Sequence, residues 1–176
     1  MKKLFFAVAA LLVSVSMSAQ LWVGGSLGFD SKSYPGDGTK NQTWFEFSPM
    51  AGYALSDVLE VGAAIDLFKE SNISGLEGND YFYWEFTPFA RYTFLTEEKL
   101  SLFLQGEIGL GQDKAGDADP IFGFSAGICP GIKIPLTENL SVVSTFGWLG
   151  FDSWNESNGL SLSLSSSLSF GLYYAF

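Results

Sequence analysis

The sequence contains no histidine and only one cysteine, Cys129. A serine hydroxyl becomes a nucleophile only beside a positioned base, and histidine is the residue that most often supplies one. A mechanism based on carboxylates or lysine alone stays open, but no spacing in the chain singles out such a pair. We therefore predict no catalytic residues and no enzyme activity. Because one cysteine cannot form a disulfide within the monomer, we interpret Cys129 as a small packed residue rather than a reactive thiol.

Positive charge is scarce as well. The chain has 9 Lys and Arg residues against 19 Asp and Glu residues, a formal net charge of −10. This balance excludes recognition of nucleic acid through a basic face. Asp113, Asp117 and Asp119 lie close together in the sequence, but they lack the spacing and the closing glutamate of an EF-hand calcium loop. We therefore predict no nucleic-acid partner, no metal site and no cofactor.

After residue 19 the chain has no apolar run long enough for a membrane-spanning helix, so insertion into a membrane would require strands. Residues 1–19 differ from the rest, because two lysines precede an apolar run over 4–13 and small residues follow it. This order is typical of a secretory signal peptide cleaved at or near Gln20. The mature chain, residues 20–176, has the length of one domain.

Alternation is the strongest pattern that the sequence does contain. Over residues 160–176, every even position except Ser166 is large and apolar, while the odd positions hold mainly serine. A period of two predicts a β-strand with one apolar face and one face of small or polar residues. The same alternation predicts eight strands, over residues 20–30, 43–55, 58–69, 80–95, 99–113, 121–136, 140–153 and 160–176.

The connections between these strands alternate in length. Three are tight turns and four are longer loops rich in Gly, Asn and Asp, which is typical of antiparallel transmembrane barrels. The turns lie at 55–57, 96–98 and 137–139, and the loops at 31–42, 70–79, 114–120 and 154–159.

Three prolines mark an internal repeat. Pro49, Pro88 and Pro130 lie near the same end of alternate strands, 39 and 42 residues apart. One hairpin plus one loop has this length, so the hairpin is the repeating unit. A proline within a paired strand removes a ladder hydrogen bond. We therefore expect either a bulge or a break in the ladder at each of the three.

Packing volume decides which face of the sheet points outward. Five or six large apolar residues on each of eight strands are too many for the interior of an eight-stranded barrel, which side chains only just fill. We therefore predict a lipid-facing apolar exterior and a polar lumen. The alternative is a soluble lipocalin-like barrel with its apolar face inside. The seventh strand fits least well, because Val143, Leu149 and Phe151 fall on its polar side.

Many aromatic residues lie near the predicted strand ends. In transmembrane barrels such residues form girdles at the two membrane interfaces. We expect this placement for Trp22, Trp44, Tyr53, Tyr81, Tyr92, Trp148, Trp154, Tyr173 and Tyr174.

Charged residues on the polar phase form the candidate site. They are Glu46, Glu60, Asp66, Glu85, Arg91, Glu107 and Lys133. We interpret them as a network of salt bridges and hydrogen bonds that fills a narrow lumen, because buried charges must be paired. A polar plug or proton-linked gate is the functional alternative. Since five anions exceed two cations, waters, Gln105 or protonated carboxylates must balance the rest. Both cations and Glu60 are expected near the end with tight turns.

Together these features resemble the small outer-membrane β-barrel family, whose familiar members are OmpX and the transmembrane domain of OmpA. Residues 49–57, PMAGYALSD, are similar to the P-x-x-G-Y-x-x-S-D turn region common in that family, and the chain ends on an aromatic residue, Phe176. The resemblance covers the whole mature chain. It implies an all-β fold, an eight-stranded antiparallel up-and-down transmembrane β-barrel of the cell outer membrane.

The resemblance also implies partners. Phe176 matches the C-terminal signal that the family presents to the barrel-assembly machinery, and outer-membrane lipids with lipopolysaccharide would surround a monomer. Enzymes of this family use a histidine base, which is absent here. Strands longer than the apolar band would project outward and offer open edges to an extracellular protein. The sequence thus predicts a structural or surface-interaction barrel, with a narrow small-solute or ion channel as the alternative.

Overall fold

The computed structural model describes residues 20–32, 41–73, 80–154, 157–163 and 169–176. The predicted signal peptide, residues 1–19, lies outside the described residues, and so do 164–168 of the last predicted strand. Within the described part of the chain, no helix is long and apolar enough to cross a membrane. The strands are β1 (Gln20–Lys32), β2 (Gln42–Ala54), β3 (Leu59–Ser71), β4 (Asp80–Glu97), β5 (Leu100–Ala115), β6 (Ile121–Pro135), β7 (Leu140–Thr145), β8 (Trp148–Trp154), β9 (Ser157–Ser163) and β10 (Ser169–Ala175).

The ten segments occupy eight positions around a closed antiparallel barrel. Strands β1 to β6 pair with one another in chain order. Strand β6 pairs with β7 near the turn end and with β8 near the loop end. On their other sides, β7 pairs with β10 and β8 pairs with β9. Pairing of β1 with β10, from Trp22 opposite Ala175 to Gly25 opposite Leu172, closes the sheet. The predicted eight-stranded fold is confirmed.

The barrel has two different ends. Tight connections join β2 to β3, β4 to β5 and β6 to β7 at one end, which we call the turn end; the opposite end is the loop end. Side-chain oxygens hold two of these turns: Ser56 Oγ accepts from Leu59 N–H at 3.1 Å, and Thr137 Oγ1 accepts from Leu140 N–H at 3.0 Å. The C-terminus also lies here, because Phe176 N–H donates to the Leu21 carbonyl at 2.9 Å.

Each of the three prolines interrupts the hydrogen-bond ladder on one side of its strand. At Pro49 and Pro88 the interruption occurs without a β-bulge. Strand β2 pairs with β3 on both sides of Pro49 in one register, and β4 pairs with β5 likewise around Pro88. Each ladder skips the proline and the residue before it, since proline has no N–H to donate. At Pro130, β6 changes partner from β8 to β7 with a register shift of one residue.

The apolar phase of the strands faces outward, as predicted. The soluble lipocalin-like alternative requires these side chains inside, and it therefore does not fit the structure. Exposed apolar residues include Leu27, Phe45, Ile65, Phe86, Leu104, Ile108, Phe124, Leu160 and Leu172.

The seventh strand departs from the predicted facing. Between β7 and β8, Phe146 and Gly147 interrupt the strand, and Gly147 has a φ of 73°, which favours glycine. The interruption moves the alternation by one residue. Val143 is buried in the lumen, but Leu149 and Phe151 are exposed on the outer face. The prediction that all three share the polar side is therefore wrong for Leu149 and Phe151.

The predicted aromatic girdles are also mostly wrong. Tyr53, Tyr92 and Tyr174 lie on the outer phase, and Tyr92 and Tyr174 are exposed there. The other six turn into the lumen: Trp22, Trp44, Tyr81, Trp148, Trp154 and Tyr173. Glycines on the strands explain this, because they leave the space that a ring needs. A β-carbon on Gly52 would lie 2.2 Å from the ring of Trp22, and one on Gly123 would lie 2.1 Å from that of Trp154.

Candidate functional site

The seven charged residues predicted to line the lumen all lie there, but they divide into two layers. Near the turn end, Glu60 contacts both Arg91 and Lys133, and we call this layer of three residues the plug. Toward the loop end, Glu46, Asp66, Glu85 and Glu107 line an open space, which we call the acidic cavity.

The plug is centred on the guanidinium of Arg91, which is 1% exposed. Its Nη1 donates to Glu60 Oε2 at 3.1 Å, and its Nη2 donates to Tyr173 OH at 3.1 Å. Nε and Nη2 both donate to Gln105 Oε1, at 3.2 and 2.8 Å. Register dictates these partners, since Glu60 of β3 and Gln105 of β5 lie directly opposite Arg91 on the two neighbouring strands.

Four aromatic rings surround the same guanidinium. Its central carbon lies 4.3 Å from the ring centroid of Phe103, 5.2 Å from that of Tyr173, 5.3 Å from that of Phe89 and 5.6 Å from that of Trp22. These distances suit cation–π attraction, which is stronger for a desolvated cation. Trp22 and Tyr173 also stack on each other, with centroids 4.6 Å apart. The guanidinium is thus buried among rings that come from four different strands.

Lys133 completes the plug from β6, two strands away from Arg91. Its Nζ lies 2.9 Å from Glu60 Oε1, so Glu60 binds one cation with each of its two oxygens. The Lys133 side chain is 32% exposed, in contrast to Arg91. The plug thus carries two cations and one anion. Gln105 extends it upward, because its Nε2 donates to Glu107 Oε2 at 2.6 Å.

The acidic cavity above the plug has a volume of about 390 Å³. Five carboxylates line it, the four predicted ones and Asp152 of β8. Among the described residues that line it, none is Lys or Arg. Asp66 and Glu85 lie directly opposite each other on β3 and β4, an arrangement in which like charges destabilise a sheet.

Neutral groups bind some of these carboxylates. Ser125 Oγ donates to Glu85 Oε1 at 2.7 Å, and Tyr83 OH donates to the other oxygen of Glu85. The Cys129 thiol lies 3.7 Å from Glu107 Oε2 and is buried. Its packed position agrees with the sequence interpretation of Cys129.

Asp152 and the four rings around Arg91 were not among the predicted site residues. Asp152 lies after the interruption at Phe146 and Gly147, which moves the alternation by one residue, so continuing the phase of β7 would have placed it on the outer face. The rings carried a detectable signal, because Phe89, Phe103 and Tyr173 are large aromatic residues on a phase otherwise occupied by small or polar ones. A large ring in a narrow lumen needs a glycine on the neighbouring strand to leave it space, and Gly131 lies directly opposite Phe103.

Two other predicted features lie outside the lumen site. Phe176 is exposed at the turn end and packs edge-on against Tyr174, with centroids 5.2 Å apart. Asp113 accepts a hydrogen bond from Tyr81 OH at 3.4 Å near the loop end. Within the five described ranges, no group of three or more Cys, Asp or Glu side chains is arranged to hold a metal ion.

Comparison with solved structures gives the fold an independent reference. Neisserial surface protein A is 17% identical over 90% of this chain and 96% of that one, with a TM-score of 0.53. The N-terminal β-barrel domain of Pseudomonas aeruginosa OprF is 14% identical over 89% of this chain and 97% of that one, with a TM-score of 0.56. At these identities the likeness shows the fold, and it confirms the predicted resemblance to small outer-membrane barrels. No protein-family model and no curated protein matches the chain.

Proposed function

We propose that this protein is an integral outer-membrane β-barrel with a structural or surface-interaction role, closed to ions by its plug. The observation that carries the proposal is Arg91, held by four rings and three hydrogen-bonding partners across the lumen. An open channel needs a continuous aqueous path, whereas Arg91 and Phe103 are each only 1% exposed. The fold it shares with known outer-membrane barrels and its apolar exterior support the location.

The same arrangement supports a non-catalytic role. The carboxylates of the lumen are paired with cations, bound by neutral donors or set beside one another. Ser125 and Cys129 lie beside the Glu85 and Glu107 carboxylates, but the chain supplies no histidine, the base that most often activates such a nucleophile. The proposed partners are the lipids and lipopolysaccharide around the barrel, the assembly machinery that would bind Phe176, and an extracellular protein at the projecting strand ends.

Cell fractionation tests the membrane location, and bilayer recordings test whether the plug closes the lumen to ions. The protein should fractionate with outer membranes and migrate differently on SDS gels before and after boiling. In planar bilayers the wild type should give no stable conductance steps. A steady, ion-selective open state would contradict the plug and favour the narrow-channel alternative, and a product found only in the periplasm would contradict the membrane location.

An arginine placed on the outer face tests the lipid contact. Ile108 is 49% exposed and is the ninth of the sixteen residues of β5, near the middle of the barrel wall. Ile108→Arg should lower the free energy of unfolding in lipid vesicles by about 2–4 kcal/mol, because a charge at the midplane is costly. Phe122→Arg is the matched control at the loop end of β6, with an expected cost of roughly 0–1 kcal/mol. Equal costs at both depths would contradict a lipid-facing wall.

A further inference from the structure

The first and last strands of the barrel are not paired along their whole contact. The ladder between β1 and β10 stops at Gly25 opposite Leu172, although both strands continue beyond this point. Among the described residues, 26–28 of β1 and 169–171 of β10 therefore have no ladder partner on this side. We call this unpaired stretch the seam. It lies at mid-height in the wall, because residue 26 is the middle one of the 13 residues of β1.

An apolar groove on the outer wall follows the seam, and we call it the outer groove. Its volume is about 550 Å³, within the roughly 300–1,000 Å³ typical of ligand pockets. Gly25 belongs to the outward row of β1 and has no side chain to fill the groove. Such a groove on a lipid-facing wall suits a hydrocarbon chain. The large apolar residues that line it are Leu27, Phe47, Val142, Phe170 and Leu172.

The outer groove and the acidic cavity meet at the seam. Ser26, Phe170 and Gly171 line both of these spaces, so the lumen is continuous here with the lipid-facing surface. An open strand edge occurs at membrane depth only where it is buried in protein or lines a water-filled cavity. The seam meets this condition, because residues from both of its edges line the acidic cavity. It therefore presents an apolar surface on one side and a polar space on the other.

We propose that a single-chain amphiphile with a cationic head group binds at the seam, with its hydrocarbon chain in the outer groove and its head in the acidic cavity. The apolar groove carries the assignment of the chain. Charge complementarity carries that of the head, since the described residues lining the cavity include carboxylates and neither Lys nor Arg. A head at the level of Ser26 would also reach backbone groups of β1 that the ladder leaves unpaired. The proposal rests on the membrane location given above, and it holds whether or not the plug closes the lumen to ions.

Photolabelling of the folded barrel in phosphatidylcholine vesicles tests this site. The probe is dodecylamine that carries a photoreactive diazirine in its chain. Labelling should saturate and be concentrated on the peptides that contain Leu27 and Phe170. Unlabelled dodecylamine should compete at least about tenfold better than dodecanoic acid, which has the wrong charge, or butylamine, which has too short a chain. Labelling spread evenly over the outer wall, or equal competition by dodecanoic acid, would overturn the proposal.

A disulfide across the seam tests the connection between groove and cavity. Leu27 and Phe170 lie opposite each other when the β1–β10 register is extended past its last pair. Leu27→Cys with Phe170→Cys, in a Cys129→Ser background, would hold the two edges at disulfide distance when oxidised. Oxidation should lower saturable labelling by about tenfold or more, and reduction should restore it. Equal labelling of the oxidised and reduced forms would overturn the proposal.

The matched control is a disulfide within the paired part of the same contact. Val23 lies directly opposite Tyr174 in the ladder, four residues along each strand from the seam pair. Oxidation of Val23→Cys with Tyr174→Cys should change labelling by less than about twofold. Gel mobility before and after boiling verifies that each variant is a folded barrel in the vesicles. Loss of labelling by a folded wild-type barrel would overturn the amphiphile site alone, whereas failure to insert into vesicles would contradict the membrane location.

Discussion

Two opposed residue pairs on the same two strands behave in opposite ways. Near the turn end, Glu60 of β3 lies directly opposite Arg91 of β4; six residues along, Asp66 lies directly opposite Glu85. The first pair is an ion pair sealed by four rings. The second pair places two anions side by side at the wall of an open cavity.

The difference shows that one narrow lumen can contain both a filled segment and an unfilled one. The two pairs are about 20 Å apart along the strands, at roughly 3.3 Å per residue. Large aromatic residues accompany Arg91, whereas Ser48, Ala64 and Thr87 surround the second pair and leave space. Charge pairing and packing thus change together from the plug to the cavity.

Removing Arg91 should give the largest effect on this contrast. Arg91→Ala leaves Glu60 and Gln105, which are both buried, without their main partner. We expect the free energy of unfolding in lipid vesicles to fall by about 3–5 kcal/mol, as for other buried pairs that lose one member. Lys99→Ala at an exposed turn is the control and should change stability little. A loss below about 1 kcal/mol would mean that the plug does not hold the lumen together.

Crowding a ring of the plug should give the next largest effect. A β-carbon on Gly131 would lie 2.1 Å from the ring of Phe103 and 2.8 Å from the Ser144 carbonyl oxygen. Gly131→Ala should therefore destabilise the barrel by about 1–3 kcal/mol, the usual cost of overpacking. Gly106→Ala is the matched control on the outer face of β5, where the nearest atom is 4.0 Å away. Similar unfolding midpoints in urea for both variants would show that the plug is loosely packed.

Loss of Lys133 should cost less than loss of Arg91. Glu60 keeps its contact with Arg91 in Lys133→Ala, and the lysine side chain is partly exposed. We expect a loss of roughly 1–2 kcal/mol, between the values for exposed and buried ion pairs. The same urea titrations measure it. A loss of stability equal to that of Arg91→Ala would contradict the view that the Arg91 guanidinium is the main stabilising cation of the plug.

Neutralising an anion of the cavity should have the smallest effect and the opposite sign. Glu85→Gln keeps the shape of the side chain and removes the repulsion from Asp66 across the strand pair. We expect stability at neutral pH to rise by on the order of 1 kcal/mol, measured by the same urea titrations. Glu60→Gln in the plug is the matched control and should instead lower stability. A fall in both variants would show that the hydrogen bonds from Ser125 and Tyr83 to Glu85 outweigh its repulsion from Asp66.

Alternation allowed much of this structure to be predicted. It placed Glu60, Arg91 and Lys133 in the lumen near the turn end, and Ile108 on the outer face, because strands have a fixed period of two. It failed where the period is interrupted, at Phe146 and Gly147. A residue in the left-handed region turns the chain locally, and one sequence read in isolation does not show where the strand resumes.

The tryptophans show a second limit. Trp22 and Trp154 lie near strand ends and are amphipathic, so the sequence interpretation placed them at the membrane interface. Their orientation depends on Gly52 and Gly123, which are far away in the sequence and adjacent only once strands pair. Composition revealed that the lumen is rich in glycine, but it did not reveal which ring each glycine accommodates.

The sequence by itself determined that this chain forms an eight-stranded barrel with an apolar exterior and a charged lumen, because side-chain period and volume are local properties of strands. Only the tertiary structure decided which charges meet. Pairing Arg91 with Glu60, and Asp66 with Glu85, depends on the register between β3 and β4. Register is set by all of the strands together when the sheet closes, so the division of the lumen into a plug and an acidic cavity is a property of the closed barrel.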